Sequence, residues 1–263
     1  MSLKRILLFP LIILISCSSL ENTKKKKLKV EEITRLNNDV FFEYDCFQKN
    51  SPVYPFETEK SLFSKITKEF FRCKGNHLNP ERIDVSDKTK LYTDCDGISK
   101  HSLPLVHGKE GVYTVLIDVL NYIQQKVNKK VVITCGSRCP KHNTYADISG
   151  DSKNSKHMIG AEVDFYVLGY EQKPEKIIDI ILEFYGKSSK YKSSETSYIF
   201  KKNEDGSSWK NKEISISLCK HNQKRDFDNR HPYPYISIEV LWDRITGERV
   251  VCNLEKANKS YLQ

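Results

Sequence analysis

Apolar residues recur at helical spacing in one long stretch. Val112, Val115, Leu116, Val119, Leu120 and Ile123 follow steps of three and four, which predicts an amphipathic helix over Gly111–Val127. The pattern then changes. Val131, Val132 and Ile133 form a short apolar run, read as a buried strand that ends in a glycine-containing turn carrying Arg138. About twenty residues rich in Asn, Asp, Ser, Lys and Gly follow and read as a loop. A second strand is expected from His157 onward. Its alternation puts Ala161, Val163 and Phe165 on one face and Glu162, Asp164 and Tyr166 on the other. A second helix is predicted over Pro174–Tyr185, with Pro174 in its first turn and Gly186 as its terminator. Residues 187–212 read as a loop or hairpin, and Glu213–His221 as a short helix or strand. Tyr235–Asp243 reads as a strand with Arg249–Cys252 as its partner. Upstream, Leu62, Phe63, Ile66, Phe70 and Phe71 lie close to helical spacing, and Phe41, Phe42, Tyr44 and Phe47 form an aromatic cluster.

The N-terminus follows a different logic. Lys4 and Arg5 precede an apolar run, Ile6–Ile15, too short to span a bilayer. Leu14-Ile15-Ser16-Cys17 resembles a bacterial lipobox, which implies lipid on Cys17 and a chain held at a membrane of the bacterial cell envelope. The expected organisation is a signal peptide (1–16), a lipidated polar tether (17–29), an N-terminal extension packed on the core (30–110) and a main domain (111–255). The tether holds Lys24–Lys27 and Lys29. Seven of the 43 Lys+Arg precede residue 30, leaving 36 against 33 Asp+Glu once Glu21 is set aside, so the body carries only +3. The basic balance is largely a property of the tail and gives no basis for a nucleic-acid partner. At 263 residues, 38% of them hydrophobic, the chain is long enough for one sizeable core.

The chemistry concentrates between residues 131 and 167. Cys135-Gly136-Ser137-Arg138, then Asn143, then Ser155-x-His157-x-x-Gly160-x-x-x-Asp164 resembles the zinc D-alanyl-D-alanine carboxypeptidases and related peptidoglycan endopeptidases, the LAS-type metallopeptidases. The resemblance implies an α+β fold of the DD-peptidase and hedgehog type, a small antiparallel sheet flanked by helices. It implies one zinc ion held by His157 and Asp164, Arg138 as the cation that meets a substrate carboxylate or oxyanion, and peptidoglycan stem peptides as partners. The third ligand of the family is a histidine on a C-terminal strand, with an acidic base three positions earlier. Here those positions hold Ser237 and Pro234, which cannot serve. Three repairs stay open: Glu239, two residues on and on the face of Ser237; His231, from the preceding turn; or loss of catalysis, leaving a domain that binds peptidoglycan or a protein partner. His77, His101 and His107 read as surface histidines.

Beyond Cys17 there are Cys46, Cys73, Cys95, Cys135, Cys139, Cys219 and Cys252. An odd set in an exported chain predicts up to three disulfides and one free thiol. No Cys-x2-Cys pair marks a zinc–thiolate centre.

Overall fold

The computed structural model describes residues 63–84, 87–97, 101–148, 151–220 and 225–261. The lipobox, the tether, the aromatic cluster and Cys46 lie outside the described residues. All described residues belong to one unit, 51–263. Among them, no helix is long and apolar enough to cross a membrane.

A six-stranded antiparallel sheet forms the frame. Its strands are β1 (Val131–Cys135), β2 (Glu162–Val167), β3 (Lys201–Lys202), β4 (Ser208–Lys210), β5 (Ile214–Cys219) and β6 (Tyr235–Val240). Their spatial order is β1-β2-β6-β5-β4-β3, every neighbouring pair antiparallel. At one end, the β1 carbonyls of Ile133 and Thr134 accept hydrogen bonds from Lys74 Nζ. At the other end stands β3, two exposed lysines long.

Alternation decides which face of the sheet is dry. Val163, Phe165, Val167, Ile214, Ile216, Leu218, Ile236, Ile238 and Val240 share one core with Val115, Leu116, Val119, Leu120 and Ile123 of α1 (Thr114–Val127). The same core includes Ile177, Ile178, Ile181 and Phe184 of a second long helix, Pro174–Lys187. Both long helices therefore cover the same face. The opposite face carries Glu162, Asp164, Tyr166, Ser215, Ser217, Ser237 and Glu239, the polar half of each alternating strand. The sheet is thus two-sided in character, and the site sits on the side the long helices leave uncovered.

Several local expectations give way. The stretch after Arg138 is no simple loop: α2 (Pro140–Ala146) starts there, with Pro140 at its first position and Cys139 as its cap, Sγ accepting from His142 N at 3.3 Å. The long helix at Pro174, here α3, runs through Gly186 to Lys187, so that glycine does not terminate it. His157 does not begin a strand but sits in a 3-10 turn, Lys156–Ile159. Gly160 closes that turn at φ 67, a left-handed conformation for which glycine is suited, and only then does β2 start. Among the described residues 63–73 the chain forms a 3-10 turn, Lys68–Phe71, in place of a longer helix. Trp242–Asp243 leave the main sheet to pair with Glu248–Arg249. A last helix, α4 (Leu254–Lys259), is capped by Asn253, whose side chain accepts from Lys256 N.

Candidate metal site

Two strands and one turn build the site. β1 and β2 pair in register from Val131↔Val167 to Ile133↔Phe165, then a bulge shifts the ladder so that Cys135 faces Asp164. Without the bulge, Thr134 would hold that place. Bulges of this kind re-aim side chains next to functional sites. The chain then passes through Gly136, where there is no room for a side chain: a Cβ would lie 2.5 Å from the Phe71 Cα.

His157 is held from behind. Its Nδ1 donates to the Gly136 carbonyl oxygen at 2.7 Å, and the Arg138 N–H donates to the His157 carbonyl at 3.1 Å. This leaves Nε2 facing Asp164 Oδ2 at 3.4 Å and Glu162 Oε1 at 3.5 Å. The Cys135 sulfur is 3.4 Å from Nδ1. Donor atoms of Cys135, His157 and Asp164 all lie within 4.8 Å of one another. Asp164 is oriented in turn by Asn229 Nδ2, which donates to Oδ2 at 2.7 Å, while Asn229 Oδ1 accepts from Thr134 Oγ1 at 2.7 Å. A ligand set whose imidazole and carboxylate are each fixed by an outer hydrogen bond is the arrangement metal sites use. Two ligands on one tetrahedral zinc, with Zn–N and Zn–O near 2.1 Å, stand about 3.4 Å apart, which the His157–Asp164 separation matches.

Charge is concentrated and paired around this group. Burial disfavours the Asp164 carboxylate, but His157, Arg138 and the Asn229 hydrogen bond outweigh it and hold the group below its ordinary value. Glu162 goes the other way: burial, with Asp164 and Glu239 adding to it, raises its carboxyl despite His157. Two adjacent carboxylates with opposed environments are a pattern that separates a ligand from a proton acceptor. Cys135 is pushed up to about 12 by burial, against Arg138 and His157.

Arg138 is 3% exposed, and its guanidinium is already engaged. Nε donates to Asp228 Oδ2 at 2.7 Å and Nη2 to Asp226 Oδ2 at 2.6 Å. Asp228 also meets His142 Nε2 at 3.1 Å, and His142 Nδ1 meets Asp94 Oδ1 at 2.6 Å. Arg138 therefore anchors the 226–229 turn, which carries Asn229 to Asp164.

Glu239 and His231, also singled out in the sequence, are not among the donors grouped with His157 and Asp164. Glu239 is paired with Lys156 at 3.3 Å, its side chain 43% exposed. His231 packs among Tyr166, Tyr233 and Tyr235, with Nδ1 accepting from Tyr233 N at 3.3 Å. Ser237 lies opposite Asp164 in register, and its Oγ donates to Glu162 Oε1 at 3.3 Å. Buried Asn143 stands on α2. The sequence reading passed over Glu162 and Cys135 as site residues. The alternation along β2 was the available signal for Glu162, since it shares a face with Asp164; the bulge that aims Cys135 left none.

Residues 87–191 match the family described as Peptidase M15. The M15 segment spans the Arg138 turn, His157, Glu162 and Asp164, and it supports the zinc-peptidase family that the sequence resembles. It ends before β5 and β6, so Ser237, Glu239 and His231 lie beyond the matched residues. Comparison with curated proteins and with solved structures gave no match.

The cysteines correct the disulfide expectation. None of Cys73, Cys95, Cys135, Cys139, Cys219 and Cys252 is bonded to another. Cys73 and Cys95 stand 3.9 Å apart, sulfur to sulfur, well beyond the ~2.05 Å of a bond.

Proposed function

We propose that this chain is an envelope lipoprotein, anchored through Cys17, whose M15 segment is a zinc peptidase acting on peptidoglycan stem peptides in the manner of a D-alanyl-D-alanine carboxypeptidase, on the DD-peptidase fold. The observation that carries this reading is the convergence of His157 Nε2 with the carboxylates of Asp164 and Glu162 on the uncovered sheet face. His157 and Asp164 hold the ion, with Cys135 in reach as the third donor. A bound zinc lowers the pKa of its water and polarises the scissile carbonyl. Glu162 accepts the proton at Oε1, and Ser237 fixes that oxygen by its hydrogen bond. In this scheme Glu162 takes over the role that Pro234 cannot fill, and Cys135 that of the histidine replaced by Ser237. Arg138 positions the 226–229 turn instead of meeting the substrate.

A second reading has its own support. Ser237 stands where the resembled family carries a ligand, and its bond to Glu162 ties up that carboxylate. On that reading the domain binds stem peptides or a protein partner without cleaving.

Release of D-alanine from a synthetic stem pentapeptide by the zinc-loaded full chain separates the two. Turnover that falls in Glu162→Gln while zinc stays bound supports the peptidase. Zinc retained with binding but no release supports the second reading. Zinc content unchanged in His157→Ala would remove the metal site from both.

A further inference from the structure

A second cluster of metal-binding side chains lies apart from the M15 site. Cys73, Cys95, Cys139 and His101 each offer one donor atom, and all four atoms lie within 4.8 Å of one another. They come from three separate parts of the chain. Cys73 follows the Lys68–Phe71 turn, Cys95 and His101 belong to the segment before Leu103, and Cys139 caps α2 directly after Arg138. The three cysteines are at most 6% exposed and pack with Tyr261 in a small core of their own.

We infer that this group is a closed structural zinc site of the Cys3His class. Three observations carry it. First, the spacing is that of ligands on one ion. Zinc with Zn–S near 2.3 Å and Zn–N near 2.05 Å sets tetrahedral edges of about 3.8 Å between two sulfurs and about 3.6 Å between sulfur and nitrogen. The structure has 3.9 Å between the Cys73 and Cys95 sulfurs and 3.7 Å between the Cys95 sulfur and His101 Nε2. Second, the imidazole is set for ligation. Its Nδ1 lies 3.1 Å from the Ser102 carbonyl oxygen and donates to it, which turns the Nε2 lone pair toward the sulfurs. The ring is braced edge-on by Tyr261 at 5.7 Å. Third, the sulfur of Cys139 accepts a backbone N–H from His142 at 3.3 Å, the contact that stabilises a thiolate.

Four protein ligands leave no open position, so the site is structural and not hydrolytic. Its place in the chain gives it a task. It ties Cys73, Cys95 and His101 to the residue after Arg138, and Tyr261 adds a bond from its OH to the Arg138 carbonyl at 2.7 Å. The Arg138 turn is thereby clamped from outside the M15 site. His101, read as a surface histidine, is the ligand that sequence spacing hid. Gaps of 22, 6 and 38 residues resemble no short zinc motif.

Cobalt titration of the full chain, reduced and freed of metal, tests this. One cobalt equivalent should give sulfur-to-cobalt charge-transfer bands and tetrahedral visible bands, displaced by zinc. The signal should persist in Cys135→Ser and in His157→Ala, persist with altered bands in His101→Cys, and be lost in Cys139→Ser. Because that last variant disturbs a helix cap, alkylation of the wild-type chain gives an independent reading: zinc should shield Cys73, Cys95 and Cys139, and a chelator should expose them. The inference is overturned if the bands vanish in Cys135→Ser and survive in Cys139→Ser, if alkylation is the same with and without zinc, or if the chain isolated from membranes carries a Cys73–Cys95 disulfide.

Discussion

Replacing Gly136 with alanine would place a methyl carbon 2.5 Å from the Cα of Phe71, 2.7 Å from its carbonyl oxygen and 2.9 Å from its carbonyl carbon. All three are backbone atoms, so no side-chain rotation relieves the clash. Reaching an ordinary contact of 3.4 Å requires a shift of about 0.9 Å between the Gly136 turn and the Lys68–Phe71 turn. Phe71 is fully buried, and its carbonyl accepts the Ser137 N–H at 2.6 Å. Overpacking of this kind costs roughly 1–3 kcal/mol, and a weakened hydrogen bond adds about 1 kcal/mol. A total near 3 kcal/mol lowers Tm by about 6–12 °C in a domain of this size. The same shift disturbs the carbonyl that holds His157 Nδ1 at 2.7 Å and the segment leading to Cys73, so metal content should fall as well. Thermal unfolding by circular dichroism, with zinc measured on the same samples, is the assay. Gly186→Ala is the control. Gly186 lies inside α3 with nothing within 4 Å of an added Cβ, so that change should raise stability by up to about 0.5 kcal/mol. A Tm for Gly136→Ala within about 2 °C of wild type, or equal losses in both variants, would refute the reasoning.

Other consequences are open to measurement. On the proposed peptidase reading, Glu162→Gln should keep zinc and cut kcat by roughly 100-fold or more, as expected for a lost general base; equal loss of zinc would make Glu162 a ligand instead. Asn229→Ala removes the donor that orients Asp164 and should weaken zinc affinity at the proposed His157–Asp164 site about 10–100-fold in a competitive chelator titration, with no change pointing to a different ligand set. Leu120→Ala, at a fully buried position of α1, should cost about 2–5 kcal/mol by denaturant unfolding. Burial opposes the charge on His142, but Asp228 and Asp94 outweigh it and raise its pKa to about 10. The folded value lies above the unfolded one, so this stabilisation is present in full below about pH 6.5 and fades as pH rises toward 10. The stability gap between wild type and His142→Gln should narrow across that window, and a gap constant from pH 6 to 10 would count against the assignment.

Much of the frame was legible because period decides burial. The apolar spacing from Val112 to Ile123 and the alternation along β2 place the same residues in the core that the structure does. The pairing of an imidazole with a carboxylate at His157 and Asp164 was also readable, since the turn at Gly160 brings them together. What stayed hidden depends on contacts across long separations. Nothing near Arg138 in the sequence announces Asp226 and Asp228 some ninety residues on. Nothing around His101 shows that its ring meets the sulfur of Cys95 while two further cysteines arrive from elsewhere. The helix at Pro140 was masked by polar composition, although proline at a first turn behind a capping residue is a start signal.

The two ends of the sheet have a bearing on how copies of this protein can coexist. An open strand edge is a template for pairing with another chain. Here one end is only two residues long and both are lysine, so an approaching strand meets two ammonium groups and almost no ladder. At the other end Lys74 already occupies the Ile133 and Thr134 carbonyls. Lysine thus guards both borders in two different ways: at one edge the charge of exposed side chains opposes an incoming strand, and at the other an inward-turned side chain has already taken two of the acceptors that strand would need.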